Sequence, residues 1–428
     1  MRRFWKRHGT GGGSLCALLL AMATVLLSAC GDLRALRDDL RDAERTLAEV
    51  SGTAVAPECT ACPLILVVVG AGGKPLSYRV LDGSGEFRVV VGASTVGIFA
   101  FVDRNDDLRY EKDEAFAWQP LSGTAIAGQA VGGVRLVIRP AAERDAPPVW
   151  PQASLLDVRQ RWVEGIDLQL GRVARLDDAR FAPEMGEFGM WQPVAFMKAG
   201  LAGVYFLEPY SAEKIPVLLV HGLHGTPRDL APLIARIDRK RYQPWLYYYP
   251  TGVELDSAAN GLFGMLNKLR QEYDYSQLHL VGYSMGGVVA RSFFEFCARE
   301  AACGEVRSLT TLASPFGGDV WAARGVKHAP VVMPVWRSLA PEGEFMRSLF
   351  ARPLPADVPH LLAFAYRNDN GRGSGDGVVA LASQLRGEAQ AQASALFGVD
   401  ADHLGILAQP EVAERAQAWW ATKAAAAP

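Results

Sequence analysis

A serine between two glycines is the residue of this sequence best suited to nucleophilic chemistry. Residues 282–286 read GYSMG, follow the apolar run at 278–281 and open the amphipathic run at 285–299. A strand, a tight turn and a helix in this order would hold the hydroxyl of Ser284 exposed on a strained turn. Larger residues at the glycine positions would collide with the neighbouring strand and helix. The pattern therefore predicts Ser284 as a nucleophile.

A serine nucleophile needs a base, and histidine titrates close enough to neutral pH to accept its proton. Three histidines follow Ser284 in the chain, namely His328, His360 and His403. His360 begins an apolar run and is predicted to be structural, whereas His328 lies in a Gly- and Pro-rich excursion. His403 follows a polar loop near the C-terminus, where the last strand-to-helix connection would deliver a base. We therefore predict His403 as the base.

The carboxylate that would orient His403 is predicted to be Asp376. It lies between two glycines, in a polar loop just beyond the strand-like run at 361–366. Such a loop can bend the carboxylate toward the imidazole and hold the tautomer whose free nitrogen accepts the serine proton. Asp369 in the same loop is the alternative. Asp402 is disfavoured because adjacent side chains rarely turn toward each other well enough to orient a ring.

Two backbone N–H groups are candidates for stabilising the oxyanion that would form when Ser284 attacks a carbonyl. Met285 directly follows the serine at a predicted helix N-terminus, and the loop at 221–225 reads HGLHG after an apolar run. From that loop we predict the Leu223 N–H as the second donor. Each preorganised donor of this kind contributes about 2.7–4 kcal/mol. The two histidines of the loop are expected to brace it rather than act as bases.

Alternating strands and helices would position these residues from about residue 200 onward. The strand-like runs lie at 217–220, 245–249, 278–282, 309–313 and 361–366, and the helical runs at 228–238, 257–273, 285–299 and 411–423. Continuous apolar strands between helices predict a mostly parallel sheet with helices on both faces. Ser284, Asp376 and His403 would then converge at the carboxyl edge of one sheet.

Residues 200–428, over half of the chain, resemble an α/β-hydrolase of the bacterial lipase and esterase kind. The motifs that carry the resemblance are HGLHG at 221–225, GYSMG at 282–286, DGVV from Asp376 and DHL around His403. The resemblance implies the α/β-hydrolase fold for this part of the chain and a mechanism without a cofactor.

The resemblance also implies a role for each matching residue. Ser284, Asp376 and His403 would form the catalytic triad, and the N–H groups of Leu223 and Met285 would form the oxyanion hole. Many lipases carry His or Gln at the positions flanking the serine, where this chain has Tyr and Met. For that reason the resemblance implies a fold and a mechanism, and no particular substrate preference.

Together these features predict a serine hydrolase that cleaves carboxylic esters, with lipid or lipid-like esters as the favoured small-molecule substrates. A phospholipase or transacylase would use the same machinery. A non-catalytic envelope protein that binds a partner on a hydrolase scaffold is the alternative from another class. The excursion between residues 314 and 359 is rich in Trp, Met and Phe. It is predicted either as a lid or acyl pocket or as a pair of packed helices.

The N-terminus has the features of an export signal. No acidic residue precedes Asp32, basic residues open the chain, and an apolar run of thirteen residues occupies 15–27. That length fits the apolar core of a signal peptide and is too short to span a bilayer comfortably. The run ends in LSAC at 27–30, which resembles the lipobox of bacterial lipoproteins. This resemblance implies cleavage after residue 29 and acylation of Cys30, with ordinary secretion as the alternative.

The lipoprotein resemblance also implies a location. Acyl chains on Cys30 would anchor the protein stably, since each buried methylene contributes about 0.8 kcal/mol. The residue after the cysteine is Gly31 and not an aspartate. By analogy with bacterial lipoproteins, this favours the outer membrane over the inner membrane. We therefore predict a bacterial envelope protein that faces the periplasm and has the membrane as a partner through its N-terminal anchor.

The predicted export places the four cysteines that follow Cys30 in an oxidising compartment, where disulfides can form. In an oxidising periplasm the simplest pairing joins Cys59 to Cys62 and Cys297 to Cys303. The Cys-x-x-Cys pair could alternatively be a redox motif or half of a zinc site. No second pair or nearby histidine cluster supports zinc, so structural disulfides are the prediction.

Composition divides the chain upstream of the hydrolase-like part. Residues 1–29 are the predicted signal peptide, and 30–62 are predicted as a tether with the Cys-x-x-Cys pair, its helix covering 32–50 from the spacing of Leu. From 63 to 140, short β-branched and aromatic runs between Gly-rich turns predict a small β-sandwich domain resembling transthyretin-like modules. Residues 141–199 begin Ala- and Pro-rich and are predicted as a linker and lead-in segment.

One segment of the predicted β-sandwich could bind calcium. From Asp103 to Glu114, oxygen-bearing side chains occupy the first, third, fifth and twelfth positions, the pattern of a calcium loop. Leu108, however, stands where the sharp turn of such a loop requires glycine. A solvated acidic turn is therefore favoured, and no metal is predicted.

Composition, charge and the motifs that are missing from the sequence argue against several other functions. Half of the 428 residues are apolar and 21% are charged, which is ordinary for a globular protein. The net charge of −2 leaves no basic surplus to suggest nucleic-acid binding. No phosphate loop or haem-attachment motif occurs, so neither a nucleotide nor a haem cofactor is predicted.

Overall fold

The computed structural model describes residues 31–59, 62–81, 83–105, 107–140, 155, 168–299, 303–367 and 374–424. Predictions about residues 1–29, Cys30, the Ala- and Pro-rich linker and Asp369 lie outside these ranges. The described chain forms two units with separate cores, a β-sandwich domain (residues 47–140) and a large domain (residues 168–424).

Fifteen strands are present in the described residues. They are β1 (Leu47–Val55), β2 (Leu64–Gly70), β3 (Pro75–Leu81), β4 (Gly85–Gly92), β5 (Thr95–Val102), β6 (Phe116–Pro120), β7 (Ala130–Val137), β8 (Gln169–Val173), β9 (Gly203–Phe206), β10 (Ile215–Val220), β11 (Tyr242–Tyr248), β12 (Leu278–Tyr283), β13 (Val306–Leu312), β14 (His360–Ala365) and β15 (Ala395–Val399). The first seven belong to the β-sandwich domain and the other eight to the large domain.

The α-helices lie mainly in the large domain. They are α1 (residues 31–46), α2 (Gly123–Ile126), α3 (Pro183–Trp191), α4 (Pro193–Lys198), α5 (Ala231–Ile234), α6 (Leu255–Tyr273), α7 (Met285–Arg299), α8 (Val320–His328), α9 (Pro334–Leu339), α10 (Glu344–Ser348), α11 (Leu381–Gln384), α12 (Gly387–Gln392) and α13 (Pro410–Ala424). In the described ranges, no helix is both long and apolar enough to cross a membrane.

One eight-stranded sheet organises the large domain, in the order β15-β14-β13-β12-β10-β11-β9-β8. The six strands from β15 to β11 are parallel, whereas β9 runs antiparallel to β11 and pairs in parallel with β8. Strands β10, β11, β12 and β13 are almost entirely buried because helices cover both faces. The predicted mostly parallel, doubly covered sheet is confirmed.

Two local predictions in the large domain need correction. The helix predicted over 228–238 is a 3-10 turn (Pro227–Leu230) followed by the single-turn helix α5. Pro232 lies in the first turn of α5 and lacks an N–H, so the hydrogen bond that would join the 3-10 turn and α5 into one regular helix is missing there. The edge strand β15 was not predicted. Its side chains alternate between half-buried and exposed, so it lacks the continuous apolar run of the central strands.

The predicted tether helix is correct for residues 31–46 and wrong for 47–50, which begin β1. Ala48 and Val50 point into the sandwich core, and that alternation is a strand pattern. The helix itself packs against the large domain, where Leu36 is fully buried in the main core. The carboxylate of Asp39 accepts hydrogen bonds from the first free N–H groups of α4, at 2.8 Å each.

The β-sandwich domain consists of a three-stranded sheet, β4-β1-β7, facing a four-stranded sheet, β3-β2-β5-β6. One apolar core lies between the sheets, and a second covers the outer face of the four-stranded sheet. Because β1 is the central strand of the smaller sheet, the domain begins at residue 47, whereas the sequence predicted 63. A strand such as β1, whose buried residues are only small or β-branched, is easily missed.

The possible calcium loop is an acidic turn whose two end carboxylates are buried. Asp103 accepts hydrogen bonds from the Asp107 and Leu108 N–H groups, and Glu114 accepts them from the Arg104 and Glu111 N–H groups. Burial raises the pKa of Glu114 to about 7. In the part of the chain that the structure describes, no three His, Cys, Asp or Glu side chains are grouped so as to hold a metal ion.

The structure joins Cys59 to Cys62 and Cys297 to Cys303, the two pairings expected from the sequence. The first closes the turn before β2 in the β-sandwich domain. The second ties the end of α7 to the segment that leads into β13. Both loops are short, so each bridge constrains the unfolded chain only locally.

Buried histidines predict that the large domain loses stability in acid. His279 bonds Ser308 and His360 bonds Thr311, each at 2.8 Å, and burial lowers the pKa of both histidines to about 3. Below pH 6.5 these histidines therefore take up protons in the unfolded chain but not in the folded chain. As the pH is lowered from 6.5 toward the folded pKa, the free energy of unfolding decreases. At pH 5 each histidine would cost ~2 kcal/mol.

We expect His360→Gln to reduce this acid sensitivity, since an amide can still bond Thr311 but takes up no proton. The measurement is the midpoint of thermal unfolding at pH 7.5 and pH 5 for both proteins, with His328→Gln as the exposed control. The variant should lose fewer degrees between the two pH values than the wild type and the control. Equal losses in all three proteins would contradict the prediction.

Candidate active site

The turn that carries Ser284 has a strained backbone. Strand β12 ends directly before Ser284 and helix α7 begins directly after it, and the serine has a φ of +53°. A positive φ is uncommon for a residue with a side chain and has to be held by its surroundings. Here the Ser284 N–H donates to the carbonyl of Leu312, on the neighbouring strand β13, at 2.8 Å.

The flanking glycines are required by close approach of backbones. A Cβ at Gly282 would lie 2.4 Å from the Cα of Gly287, and a Cβ at Gly286 would lie 2.2 Å from the carbonyl oxygen of Val220. No side chain fits at either distance. The glycine pattern therefore has the physical cause expected from the sequence, namely a helix packed directly against strands β12 and β10.

The side chains of Ser284, His403 and Asp376 form one continuous line of hydrogen bonds. His403 Nε2 lies 2.9 Å from Ser284 Oγ, and His403 Nδ1 lies 2.7 Å from Asp376 Oδ2. Ser284 and His403 are each 8% exposed and Asp376 is 1% exposed. An ionised carboxylate can only accept, so Nδ1 carries the proton and Nε2 is free to accept one from the serine.

The carboxylate of Asp376 is held by donors on both of its oxygens. Oδ1 accepts from the N–H groups of Val378 and Val379, at 3.0 and 2.7 Å, and Oδ2 accepts from Gln384 Nε2 at 3.1 Å as well as from His403. Four donors fix the plane of the carboxylate and offset the cost of burying its charge. The sequence did not single out Gln384, because only the folded loop brings it to Asp376.

His403 is held through its backbone as well as its ring. Its N–H donates to the carbonyl of Asp376 at 3.0 Å, and its own carbonyl accepts from the hydroxyl of Tyr283 at 3.0 Å. Burial raises the pKa of Tyr283, which keeps this hydroxyl a donor throughout the working pH range. The residue before the nucleophile thus supports the base, a contact across 120 residues that no local pattern could reveal.

The loop at 221–225 lies against the nucleophile. A Cβ at Gly222 would be 2.9 Å from the Cβ of Ser284. In the described part of the chain the N–H of Leu223 has no hydrogen-bond acceptor, and Met285 N–H is the first of α7, where no intrahelical acceptor exists. These two groups, predicted as oxyanion donors, are thus both unpaired. Met285 directly follows Ser284 in sequence, and Leu223 directly follows Gly222, the loop residue that lies against Ser284.

The two histidines of this loop brace it, each in a different way. His221 is fully buried and stacks on Tyr249 at 4.6 Å, and the hydroxyl of Tyr249 donates to the His221 carbonyl at 3.0 Å. Burial lowers the pKa of His221 to about 4. His224 has a φ of +56° and its Nδ1 lies 3.1 Å from a carboxylate oxygen of Glu187, on helix α3.

Helix α3 belongs to the lead-in segment and covers the loop. A Cβ at Gly186 of this helix would lie 2.1 Å from the carbonyl oxygen of His224, so the two backbones touch. The sequence predicted residues 141–199 as a linker and lead-in segment and did not indicate that any of them support the site. Gly186 and Gly189 at helical spacing were the available signal for such a close approach.

Large apolar side chains lie exposed on the segments around the site. Val378 and Leu404 neighbour Asp376 and His403 in sequence, and Val320 and Trp321 open α8, the first helix of the excursion after β13; all four are more than 60% exposed. The rest of the excursion packs inward, with Met333, Met346 and others fully buried as part of the main core. The alternative of packed helices therefore describes most of this segment.

We expect Tyr283→Phe to lower kcat/KM about 2- to 10-fold, the cost of one buried hydrogen bond, because the ring stays and only the bond to the His403 carbonyl is lost. Tyr247→Phe is the matched control, since its buried hydroxyl donates to the Ala258 carbonyl on α6, at 2.8 Å. Both variants should lose similar thermal stability, and only the first should lose rate. Equal values of kcat/KM in Tyr283→Phe and Tyr247→Phe would show that the bond from Tyr283 to His403 has only a structural role.

The order and direction of the strands and the strand–turn–helix at Ser284 define the α/β-hydrolase fold, preceded by a small β-sheet domain, as predicted. A family model described as "Alpha/beta hydrolase of unknown function (DUF915)" matches residues 252–388. The match contains Ser284 and Asp376 and covers about a third of the chain. No curated protein matches the chain in sequence.

Solved structures that resemble this chain in fold include several bacterial proteins. Bacillus licheniformis lipase BlEst2 in its mature form is 17% identical, with a TM-score of 0.42, over 51% of this chain and 97% of the other. The product of Listeria innocua gene lin2722 is 17% identical, with a TM-score of 0.37, over 49% and 94% of the two chains. The naproxen esterase of Bacillus subtilis is 15% identical, with a TM-score of 0.31, over 49% and 84%. Similarity this low says nothing about substrates.

Proposed function

We propose that the protein is a serine hydrolase of carboxylic esters in which Ser284 is the nucleophile, His403 the general base and acid, and Asp376 the residue that orients His403. The observation that carries the proposal is the unbroken line of hydrogen bonds from Asp376 Oδ2 through His403 to Ser284 Oγ, at 2.7 and 2.9 Å. These distances permit proton transfer without any rearrangement of the three side chains.

In the first half of the proposed reaction, Ser284 Oγ attacks the ester carbonyl carbon while its proton moves to His403 Nε2. The carbonyl oxygen gains the electron pair and becomes the oxyanion, which the N–H groups of Leu223 and Met285 would stabilise. When the carbonyl re-forms, the alkoxide leaves and takes the proton from His403. The acyl group is then bonded to Ser284 Oγ.

In the second half, water replaces the alcohol. His403 Nε2 takes a proton from the water as its oxygen attacks the acyl carbon, and the same oxyanion forms. Its collapse breaks the bond to Ser284 Oγ, which regains the proton from His403. The products are a carboxylic acid and an alcohol, and the enzyme returns to its starting state.

Lipid or lipid-like esters are the proposed substrate class. Support comes from the exposed apolar side chains of Val378 and Leu404, which lie close in sequence to Asp376 and His403, and of Trp321 on the excursion after β13. Such side chains are costly to leave in water. We also propose anchoring through acylated Cys30 in the bacterial outer membrane. Helix α1 is described from residue 31 onward and packs on the large domain, so such an anchor would hold the domain close to the bilayer.

The test is hydrolysis of p-nitrophenyl esters of graded acyl length, presented below and above their critical micelle concentrations, by wild type and Ser284→Ala. We expect turnover by the wild type alone, rising with acyl length. Turnover of the acetate ester alone would overturn the proposal that lipid esters are the substrates, while the proposal of an esterase would stand. No turnover at any length by a folded wild type, or equal turnover by both proteins, would overturn the esterase itself.

A labelling experiment tests the anchor separately. Bacteria expressing the protein take up an alkyne-tagged fatty acid, and the purified protein is examined for the tag in wild type and Cys30→Ser. We expect the tag and membrane fractionation only when Cys30 is present. Label-free wild type, or equal labelling of both proteins, would contradict acylation at this residue.

A further inference from the structure

We propose that Gln384 is a positioning residue for the reaction, one that fixes the carboxylate of Asp376 and thereby sets how strongly His403 binds its catalytic proton. The inference rests on the proposed function. Gln384 ends helix α11, eight residues after Asp376, and its side chain is 1% exposed. A glutamine this buried needs a partner for each polar atom, and its partners here show what it does.

The amide of Gln384 is first tied to the end of strand β14. The N–H of Ala365 donates to Gln384 Oε1, and Gln384 Nε2 donates to the carbonyl of Ala365, each at 2.9 Å. The side chain thus pairs with the backbone of the last strand residue as a neighbouring strand would. This reciprocal pair holds the amide against the sheet, so its remaining N–H has a fixed direction.

The orientation of the amide is settled by the chemistry of its neighbours. Rotating it by 180° would place its NH2 against the Ala365 N–H, donor against donor. Its oxygen would then face the carbonyls of Ala365 and Val379 and the carboxylate of Asp376, all of which are acceptors. Only the observed orientation satisfies all four groups.

The same Nε2 also reaches the proposed catalytic carboxylate. It lies 3.1 Å from Asp376 Oδ2 and 3.2 Å from the Val379 carbonyl, in addition to its bond with Ala365. Two protons serve three acceptors, so one proton points to Ala365 and the other is shared by Asp376 and Val379. Gln384 therefore donates to the same carboxylate oxygen that faces His403.

This shared oxygen links Gln384 to proton transfer. A donor on Oδ2 stabilises the anion and draws its negative charge away from His403. Without the donor, Oδ2 would direct all of its charge at the imidazole and favour the protonated ring, which cannot accept from Ser284. The carboxylate would also lose one of the four bonds that fix its plane, so the imidazole would be less well aligned.

The test compares Gln384→Met with Gln243→Met in pH profiles of kcat/KM. Gln243 is an equally buried glutamine on β11 that donates to the Ser211 and Lys214 carbonyls and accepts from the Ser211 N–H. Both variants lose a buried polar network, so both should lose thermal stability. For Gln384→Met alone we expect kcat to fall about 10- to 100-fold, with KM nearly unchanged. The acid limb of its profile should move to higher pH.

A second variant keeps the shape of the side chain and makes the effect depend on pH. In Gln384→Glu the introduced carboxyl can donate to Asp376 only while protonated, and repulsion from Asp376 raises its pKa. Activity should therefore fall again as the pH rises and the carboxyl loses its proton. We expect a bell-shaped profile where the wild type has a plateau. Because one sample is followed across pH, impaired folding alone would not produce this shape.

The outcomes separate the inference from the function on which it rests. An active wild type together with a Gln384→Met variant of unchanged profile, or a Gln384→Glu variant that keeps the plateau, would overturn the role of Gln384 and leave the serine hydrolase intact. An equal shift in Gln243→Met would overturn it as well. A wild type that turns over no ester would instead overturn the proposed function.

Discussion

Replacing Ser284 with alanine is expected to reduce kcat/KM for ester hydrolysis by roughly 10⁵- to 10⁶-fold, the loss found when a triad nucleophile is removed. Among the residues that the structure describes, the hydroxyl of Ser284 bonds only His403 Nε2, and the turn is held by the backbone bond to Leu312 and by the flanking glycines. The fold should therefore survive, with thermal unfolding within a few degrees of the wild type. Initial rates on a turned-over ester, normalised to folded protein, are the measurement.

Ser314→Ala is the matched control for this variant. Ser314 is also buried, and its hydroxyl lies 3.5 Å from the carbonyl of Leu312, the same carbonyl that accepts from the Ser284 N–H. It touches neither His403 nor Asp376 in the described structure, so its rate should stay within a few-fold of the wild type. A Ser314→Ala variant as inactive as Ser284→Ala would mean that the assay reports damage to the fold.

Replacing Asp376 with asparagine is expected to lower kcat by roughly 10⁴-fold, the cost of holding the base in the wrong tautomer. The N–H groups of Val378 and Val379 both point at Oδ1, so the oxygen of the introduced amide must stay there. Its NH2 then faces His403 Nδ1 and donates to it. The proton of the imidazole moves to Nε2, which can no longer accept from Ser284.

Asp402→Asn is the control for Asp376→Asn, because it removes a charge next to His403 without touching the ring. Asp402 Oδ1 accepts from the Gly405 N–H at 2.6 Å and faces solvent. An asparagine oxygen can keep that bond, so kcat should change less than 3-fold or so. If Asp402→Asn were the inactive variant, the acid of the triad would have been assigned to the wrong residue. Steady-state kinetics of both variants decide between the two.

The three residues proposed as the triad could be found from the sequence because each follows a strand. Ser284 comes after a buried run and opens a helix, and in a parallel sheet the carboxyl ends of the strands share one edge. Asp376 follows the predicted strand that forms β14. The strand before His403, β15, was not predicted, and His403 was identified from its polar loop before the last predicted helix. The supporting contacts follow no such rule. Gln384 and Tyr283 act through side-chain geometry, and neither residue type is restricted to sites of this kind.

The N-terminal half shows where sequence patterns failed for physical reasons. The leucines of residues 31–46 predicted a helix correctly, yet the burial of Leu36 against the large domain depends on a surface formed more than a hundred residues later. The first four residues of β1 were assigned to that helix because Leu47 continues its apolar spacing. Its pairing with β4 and β7 provided backbone hydrogen bonds that outweighed this local preference.

The central claim is that His403 activates Ser284 as a nucleophile, and covalent trapping tests it most directly. The full-length wild type and the His403→Gln variant are each treated with a fluorophosphonate and digested. The masses of the resulting peptides are then measured by mass spectrometry. We predict a single adduct on the peptide that contains Ser284, formed at least a hundredfold more slowly in the variant. An adduct on another residue, or one that forms at the same rate in both proteins, would contradict the claim.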